Sequence, residues 1–226
     1  MPTETFFRLP EEKKARILAA AKEEFSVHSI REASISNIIK LADIPRGSFY
    51  QYFDGMEDLY LYFFDFLRRN SMETFSHLLD ETKGDLFESY SQYFEILIHE
   101  VMEGEYVGYF RQLFLNMDNH VVRHVSKGFN VRTHRYPKGM EQFSVKQKGP
   151  GRITLKDLDT TNLRIKSDEE LKELVHLILH ILFSTIVQAY RKEKLPPKQR
   201  VDEAIMEFDR KLDWLKNGVE INGEVD

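Results

Sequence analysis

Cysteine is absent from this 226-residue chain. Its absence excludes disulfide frameworks, thiolate-bound zinc and cysteine nucleophiles, and it suits a reducing cytoplasm. Long apolar runs are missing as well. The most apolar window, Leu174 to Val187, is interrupted by His176, His180, Ser184 and Thr185. It falls short of the roughly 20 residues a bilayer crossing needs, so it reads as a buried helix and no membrane partner is expected. Met1 to Pro10 lacks a basic stretch followed by an apolar run and does not read as a signal peptide. Nor is there an excess of positive charge: 32 Lys and Arg face 37 Asp and Glu, for a net charge of -5. That balance argues against a generally basic nucleic-acid coat, although a local cationic surface suffices for specific binding. The deficit is uneven. Residues 1–54 carry eight basic and eight acidic residues, so the whole negative excess lies beyond them. Finally, no glycine-rich phosphate cradle follows a strand, no nucleophile motif appears and no metal constellation stands out. An enzyme is not expected, nor a cofactor or a structural metal.

What remains is helical periodicity nearly throughout, with breakers between the periodic runs, which predicts an all-α chain. A first helix is expected to open at Pro10, where a missing N–H costs nothing and Glu11 and Glu12 suit the positive end. Ile17, Leu18, Ala21 and Phe25 form its inward face. Further helices are expected from about Ser34, from about Pro45 and from Asp54, where Asp54 and Glu57 have capping-box spacing. The last of these continues through Leu59, Phe63, Phe66 and Leu67 to about Asp80, before Lys83-Gly84-Asp85. Two domains follow from this pattern: a small one of residues 1–54 and a larger helical one of residues 55–226.

Aromatic-rich helices are expected at about 85–103, 106–117 and 119–134. Residues 136–166 break the helical pattern, and Phe143, Val145, Ile153 and Leu155 alternate around Gly149-Pro150-Gly151 in the manner of a short β-hairpin. Ser167 and Glu170 then open an apolar helix to about Lys194, and Pro196-Pro197 stops it. The last expected helix, Lys198 to Lys216, spaces Val201, Ile205, Phe208, Leu212 and Leu215 by fours and threes, the spacing that packs one helix on another. Gly218 is the expected stop.

Residues 34–53 are the most informative stretch: two short helices around a tight turn, in helix-turn-helix proportions. Ile35, Ile38, Ile39 and Ala42 can pack inward, with Ile44, Phe49 and Phe53 anchoring the turn and the second helix. The outward set is then Arg46, Gly47, Ser48, Tyr50, Gln51 and Tyr52. Arg can donate two bonds to guanine, Gln can pair with adenine, and Ser or Tyr hydroxyls can bond phosphate. Gly47 admits close backbone approach. Ser34, at a helix N-terminus, can hold a phosphate with its hydroxyl and free amides.

Residues 42–59, Ala-Asp-Ile-Pro-Arg-Gly-Ser-Phe-Tyr-Gln-Tyr-Phe-Asp-Gly-Met-Glu-Asp-Leu, resemble the signature of the tetracycline-repressor (TetR) family. Ala42, Gly47, Tyr50, Phe53 and Leu59 coincide with its fixed points. The resemblance implies an all-α homodimer whose third helix enters the major groove of a double-stranded operator, and a variable C-terminal domain that binds a small-molecule inducer. It also implies phosphate contacts from Tyr50 and Tyr52. Two positions depart from the signature: Asp43 replaces the turn glycine, and Met56 replaces a lysine that commonly contacts phosphate. Met56 is the best support for a competing reading, a sensing or protein-interaction module that has lost its operator.

Other constellations are weighed against plainer explanations. Lys13, Lys14 and Arg16 suit either phosphates or a solvated face. His176, His180, Ser184 and Gln188 draw a polar stripe down the apolar helix. A metal site using this His pair with Glu173 is outweighed by packed polar residues at a dimer seam or pocket wall. His120 and His124 suit a solvated face, and Lys138, Lys146, Lys148 and Arg152 suit a soluble excursion better than an anion contact. Tyr90, Phe94, Tyr109, Phe110, Phe114 and His180 are candidate pocket residues for an apolar or aromatic ligand. Leu171, Val175, Ile178, Leu182, Ile205, Phe208 and Leu212 are candidate dimer-interface residues on the last two helices.

Overall fold

A computed structural model describes residues 2–116, 158–161 and 163–219. The helix expected at 119–134, the His120 and His124 pair, the alternation around Gly149-Pro150-Gly151 and the four basic residues near it lie outside the described residues. Within them the chain is all-α and contains no β-strand. In order come α1 (Glu4–Phe7), α2 (Glu11–Val27), α3 (Ile35–Leu41), α4 (Arg46–Tyr52), α5 (Met56–Glu81), α6 (Leu86–Glu103), α7 (Val107–Leu115), α8 (Asp168–Arg191) and α9 (Pro197–Val219).

The chain folds as two compact units, the first comprising Met1–Arg69 with His99–Val121 and the second Asn70–Ile98 with Val122–Asp226. In the first, α2 buries Ile17, Ala20, Ala21, Glu24 and Phe25 on one face. Leu18, expected on this face, is only half-buried, and Ala20 and Glu24 take part in the face instead. The loop after α3 is a Schellman turn: Ile44 N–H reaches Ile39 O at 3.0 Å, Asp43 N–H reaches Lys40 O at 3.3 Å, and Asp43 sits at φ 51. Asp thus fills a left-handed position that usually takes glycine, as a short polar side chain can. The same device ends α5, with Lys83 at φ 57 and Gly84 N–H on Leu79 O at 2.9 Å. At the head of α5 the reach-back carboxylate belongs to Asp58, which accepts from Asp54 N–H at 3.2 Å. The cap is therefore one residue later than the Asp54 and Glu57 spacing predicted, because the helix starts at Met56.

Three ties fasten α7 to α2. Lys22 Nζ meets Glu105 at 2.6 Å and lies 4.9 Å from the Tyr106 ring. Gln112 Nε2 donates to Val27 O, one of the orphan carbonyls at the end of α2, at 3.0 Å. Gly108 lets the backbones close, since a Cβ there would stand 2.8 Å from Ser26 Cβ.

In the second unit α8 and α9 pack against each other. The Ser167 hydroxyl caps α8 by accepting from Glu170 N–H at 3.2 Å, and Glu170 reaches back to Lys166 N–H at 2.6 Å. The helix ends at Arg191, three residues short of expectation, and α9 begins at Pro197. Gly218 lies inside α9 and does not stop it. By length and composition α8 is apolar enough to cross a bilayer, more so than its apolar window alone implied. Leu171, Leu174, Ile178, Leu182 and Ile186 are buried in the second unit, however, as in the core helix of a soluble protein.

Candidate nucleic-acid interface

The first unit builds the helix-turn-helix on α3 and α4. Glu24 on α2 is buried, and its carboxylate accepts from Ser34 N–H at 2.6 Å and from Asn37 Nδ2 at 3.2 Å. A carboxylate at the positive end of α3 is favourable, and it holds α3 at a set angle to α2. Ser34 is the N-cap residue, and its hydroxyl makes no capping bond. On α4, Phe49 and Phe53 point into the core, their rings 5.6 Å apart.

Arg46, Gly47, Tyr50 and Gln51 are exposed and Ser48 is half-buried, so they form one outward row. Tyr50 keeps 48% of its surface exposed and stands edge-on to Phe49. Tyr52 departs from the expected set. Only 3% of it is exposed, and it packs 6.3 Å from Phe6 with Lys13 5.5 Å over its ring. The correction has a simple cause: positions 49, 52 and 53 share one face of a helix, and α1 covers that face.

Three contributors were not found in the sequence. Thr3, Phe6 and Glu24 support α3 and α4 from outside the motif. Phe6 is fully buried against Phe53 at 4.8 Å and Tyr62 at 5.2 Å. The signal for α1 was present, since Thr3 is an N-cap type before an apolar pair, but the helix is only four residues long.

The candidate pocket residues divide between the two units. Tyr109, Phe110 and Phe114 belong to the first unit, and Tyr90 and Phe94 to the second. Tyr109 is fully buried with its ring 5.1 Å from Phe63, 5.6 Å from Tyr60 and 6.4 Å from Phe25. Burial, then the Tyr60 hydroxyl and the charge of Asp65, push its hydroxyl well above the ordinary tyrosine range, so it stays protonated. Phe94 stacks on Phe208 at 4.1 Å. Tyr90 sits 4.6 Å from Phe75, and burial raises its hydroxyl likewise. His180, Ser184 and Gln188 are exposed and His176 is half-buried, so three of the four residues of the polar stripe face outward on α8.

The dimer set needs a similar correction. Leu171, Ile178, Leu182, Phe208 and Leu212 are buried within the single chain, and Val175 and Ile205 are half-buried. Their four-and-three spacing reports the packing of α8 on α9 of the same chain. The exposed apolar residues of these helices are Leu177, Met206 and Trp214, at 53%, 71% and 66% exposure. No group of His, Asp or Glu among the described residues can hold a metal ion.

Comparison with known proteins agrees with this geometry. Residues 17–63 match the model for bacterial regulatory proteins of the tetR family, and residues 85–219 match that of the tetracyclin repressor-like C-terminal domain. Among solved structures, SmeT, the repressor of the Stenotrophomonas maltophilia multidrug efflux pump SmeDEF, is similar with a TM-score of 0.60 at 14% identity, over 96% of this chain and 94% of that one. FadR from Bacillus subtilis, in complex with stearoyl-CoA, is similar with a TM-score of 0.53 at 16% identity, over 91% of this chain and 99% of that one. No sequence among the curated proteins matches this chain. With both halves matched, and the C-terminal model alone covering more than half of the sequence, this chain belongs to the TetR family of DNA-binding transcriptional regulators.

Proposed function

We propose that the chain acts in the cytoplasm as a homodimeric repressor, released from a palindromic operator by a small apolar or aromatic ligand. The observation that carries the DNA-reading part is the outward row Arg46, Gly47, Ser48, Tyr50 and Gln51 on a helix whose opposite face is locked into the core. A dimer would hold two such helices about one DNA turn apart, or a multiple of it. Its interface is proposed on the outer faces of α8 and α9, where Leu177, Met206 and Trp214 are exposed beside His180 and Ser184. Exposed apolar residues on paired helices are candidates for an association surface.

For the ligand, Tyr90 and Phe94 of the second unit remain the proposed pocket residues. Tyr90 lies in an aromatic interior with Phe75 and Tyr93, whose hydroxyl is 2.7 Å from Ser71 Oγ, and Phe94 stacks on Phe208. Apolar walls with a few placed hydroxyls suit an apolar or aromatic compound. FadR of Bacillus subtilis, a neighbour in fold, was solved with stearoyl-CoA, and SmeT governs a multidrug efflux pump. Release requires that the ligand bind one conformation more tightly than the other, and α5, which runs from the first unit into the second, is the proposed lever.

One observation favours the rival, a regulator-like fold without a specific operator. The head of α5 carries Met56 followed by Glu57 and Asp58, acidic where a phosphate contact would be expected. Selection of duplexes from a random pool separates the two readings. The proposal expects an enriched palindrome, and Arg46→Ala is expected to weaken binding to it by about 1–3 kcal/mol and relax the preference at one base position. Absence of any enriched sequence would favour the rival. An Arg46→Ala protein with unchanged affinity and preference would remove Arg46 from the reading row.

A further inference from the structure

We propose that Thr3 is a positioning residue for base readout, clamping the C-terminal end of the recognition helix through α1; this rests on the DNA-reading role of α4 proposed above. A helix leaves its last four carbonyls without intrahelical partners. Helix α4 has seven residues, too few to be stable alone, so its direction depends on outside ties. It also lacks a left-handed cap of its own, since Phe53 follows in an extended conformation at φ -136 and ψ 142. The missing donors come from the start of the chain. Thr3 N–H donates to Tyr52 O at 2.9 Å, and the Thr3 hydroxyl donates to Gln51 O at 2.6 Å.

The same hydroxyl oxygen accepts from Phe6 N–H at 3.4 Å, which makes Thr3 the N-cap of α1. One side chain therefore starts α1 and finishes α4, 48 positions later. Phe6, on α1, drives its ring between Phe53 and Tyr62 and fastens the clamp to the core. Gln51 connects the clamp to function: its side chain lies on the outward row and its carbonyl is the one the Thr3 hydroxyl holds. The clamp thus acts on the backbone of a residue that faces the bases.

The test uses the full chain and a duplex selected from a random pool against it, beside a random duplex of equal length at the same salt. Thr3→Val keeps the amide bond to Tyr52 and removes the hydroxyl. The expected result is an affinity for the selected duplex about fivefold lower, the effect of one hydrogen bond. Base preference flattens at the positions α4 reads, random-duplex affinity changes little, and the amides of residues 48–53 exchange hydrogen faster. Thr3→Ser restores every readout. Thr3→Asp keeps an acceptor for the Phe6 N–H but has no donor for Gln51, so it should match Thr3→Val in exchange, which separates the clamp from the capping of α1.

Wild-type preference and exchange in Thr3→Val would overturn the proposal, and so would equal losses on selected and random duplexes, the signature of a purely structural contribution. A wild-type chain with no base preference would defeat the reading role of α4 instead. In that case the exchange comparison alone decides the clamp, and unchanged exchange would sink it.

Discussion

Two helical glycines in the first unit make opposite demands. A Cβ on Gly47 would meet nothing within 4 Å, whereas one on Gly108 would stand 2.8 Å from Ser26 Cβ and 3.0 Å from Ser26 O. Gly47→Ala is therefore predicted to stabilise the free protein, because glycine in a helix costs about 0.5–1 kcal/mol relative to alanine. It should also weaken DNA binding, because the new methyl stands on the outward row. Gly108→Ala is predicted to destabilise by about 1–3 kcal/mol, since the clash is partly with backbone that cannot rotate away. Urea denaturation with a parallel binding assay checks both signs; a more stable Gly108→Ala protein would contradict the close approach of α2 and α7. These cases show what was legible at the level of single residues. Gly47 and Arg46 were readable because they sit at fixed offsets in a local motif. Tyr52 was misplaced because its burial depends on Phe6, 46 positions away, and Glu24 was missed because its partners Ser34 and Asn37 lie beyond a loop.

At the scale of elements, helix existence and caps were readable where the chemistry is local, as at Ser167 and at Lys83-Gly84. What a helix packs against was not, because heptad-like spacing looks the same for a partner in the same chain or in a second copy. Phe208 and Trp214 separate the two. Phe208 is stacked on Phe94 inside the chain, so Phe208→Glu is predicted to unfold the second unit. Trp214 is exposed, with Arg210 5.8 Å over its ring, so Trp214→Glu is predicted to leave the fold intact and shift sedimentation from dimer to monomer. It is also the only tryptophan, so its emission should move to shorter wavelength as concentration drives wild-type association. A monodisperse monomer at every concentration would remove this face from the proposed interface. The same helix pair carries a charge network in which Lys192 meets Glu203 at 3.0 Å and Glu207 at 3.6 Å, and Lys211 also meets Glu207. Burial alone would raise the Glu207 carboxyl, but Lys211 and Lys192 outweigh it and hold it below the ordinary value. Its contribution is thus present above the unfolded glutamate range and lost as pH falls through the lowered folded value. Lys192 is raised, chiefly by its bond to Glu203, so its share is lost only as pH climbs through that raised value. Glu207→Gln should cost no more than about 1 kcal/mol at neutral pH, since water screens Lys192, and the difference should close in acid. A gap that widens in acid would contradict this assignment.

For the whole molecule, the first 54 residues are neutral while the rest carry the net charge of -5. The rest of the unit that bears α4, residues 55–69 and 99–121, carries -4 of that charge, so encounter with a DNA polyanion rests on the local surface of α4 and not on the net charge of its unit. The proposed release of DNA by a ligand carries a thermodynamic obligation. If a compound lowers DNA affinity by some factor, DNA must lower the affinity for that compound by the same factor. Couplings of this kind typically amount to about 1–3 kcal/mol, or roughly 5–150-fold. A panel of hydrophobic and aromatic compounds screened by thermal shift is predicted to contain members that raise the melting temperature of the free protein, because binding to the folded state stabilises it by mass action. Each such member that releases the selected duplex should then bind the protein–DNA complex more weakly than the free protein, by a factor matching the loss of DNA affinity. Titrations in both orders measure the two factors independently. Equal affinity for free and DNA-bound protein would mean that the compound occupies a site without coupling to α4. A panel with no thermal response at all would count against the aromatic interior around Tyr90 and Phe94 as a ligand site.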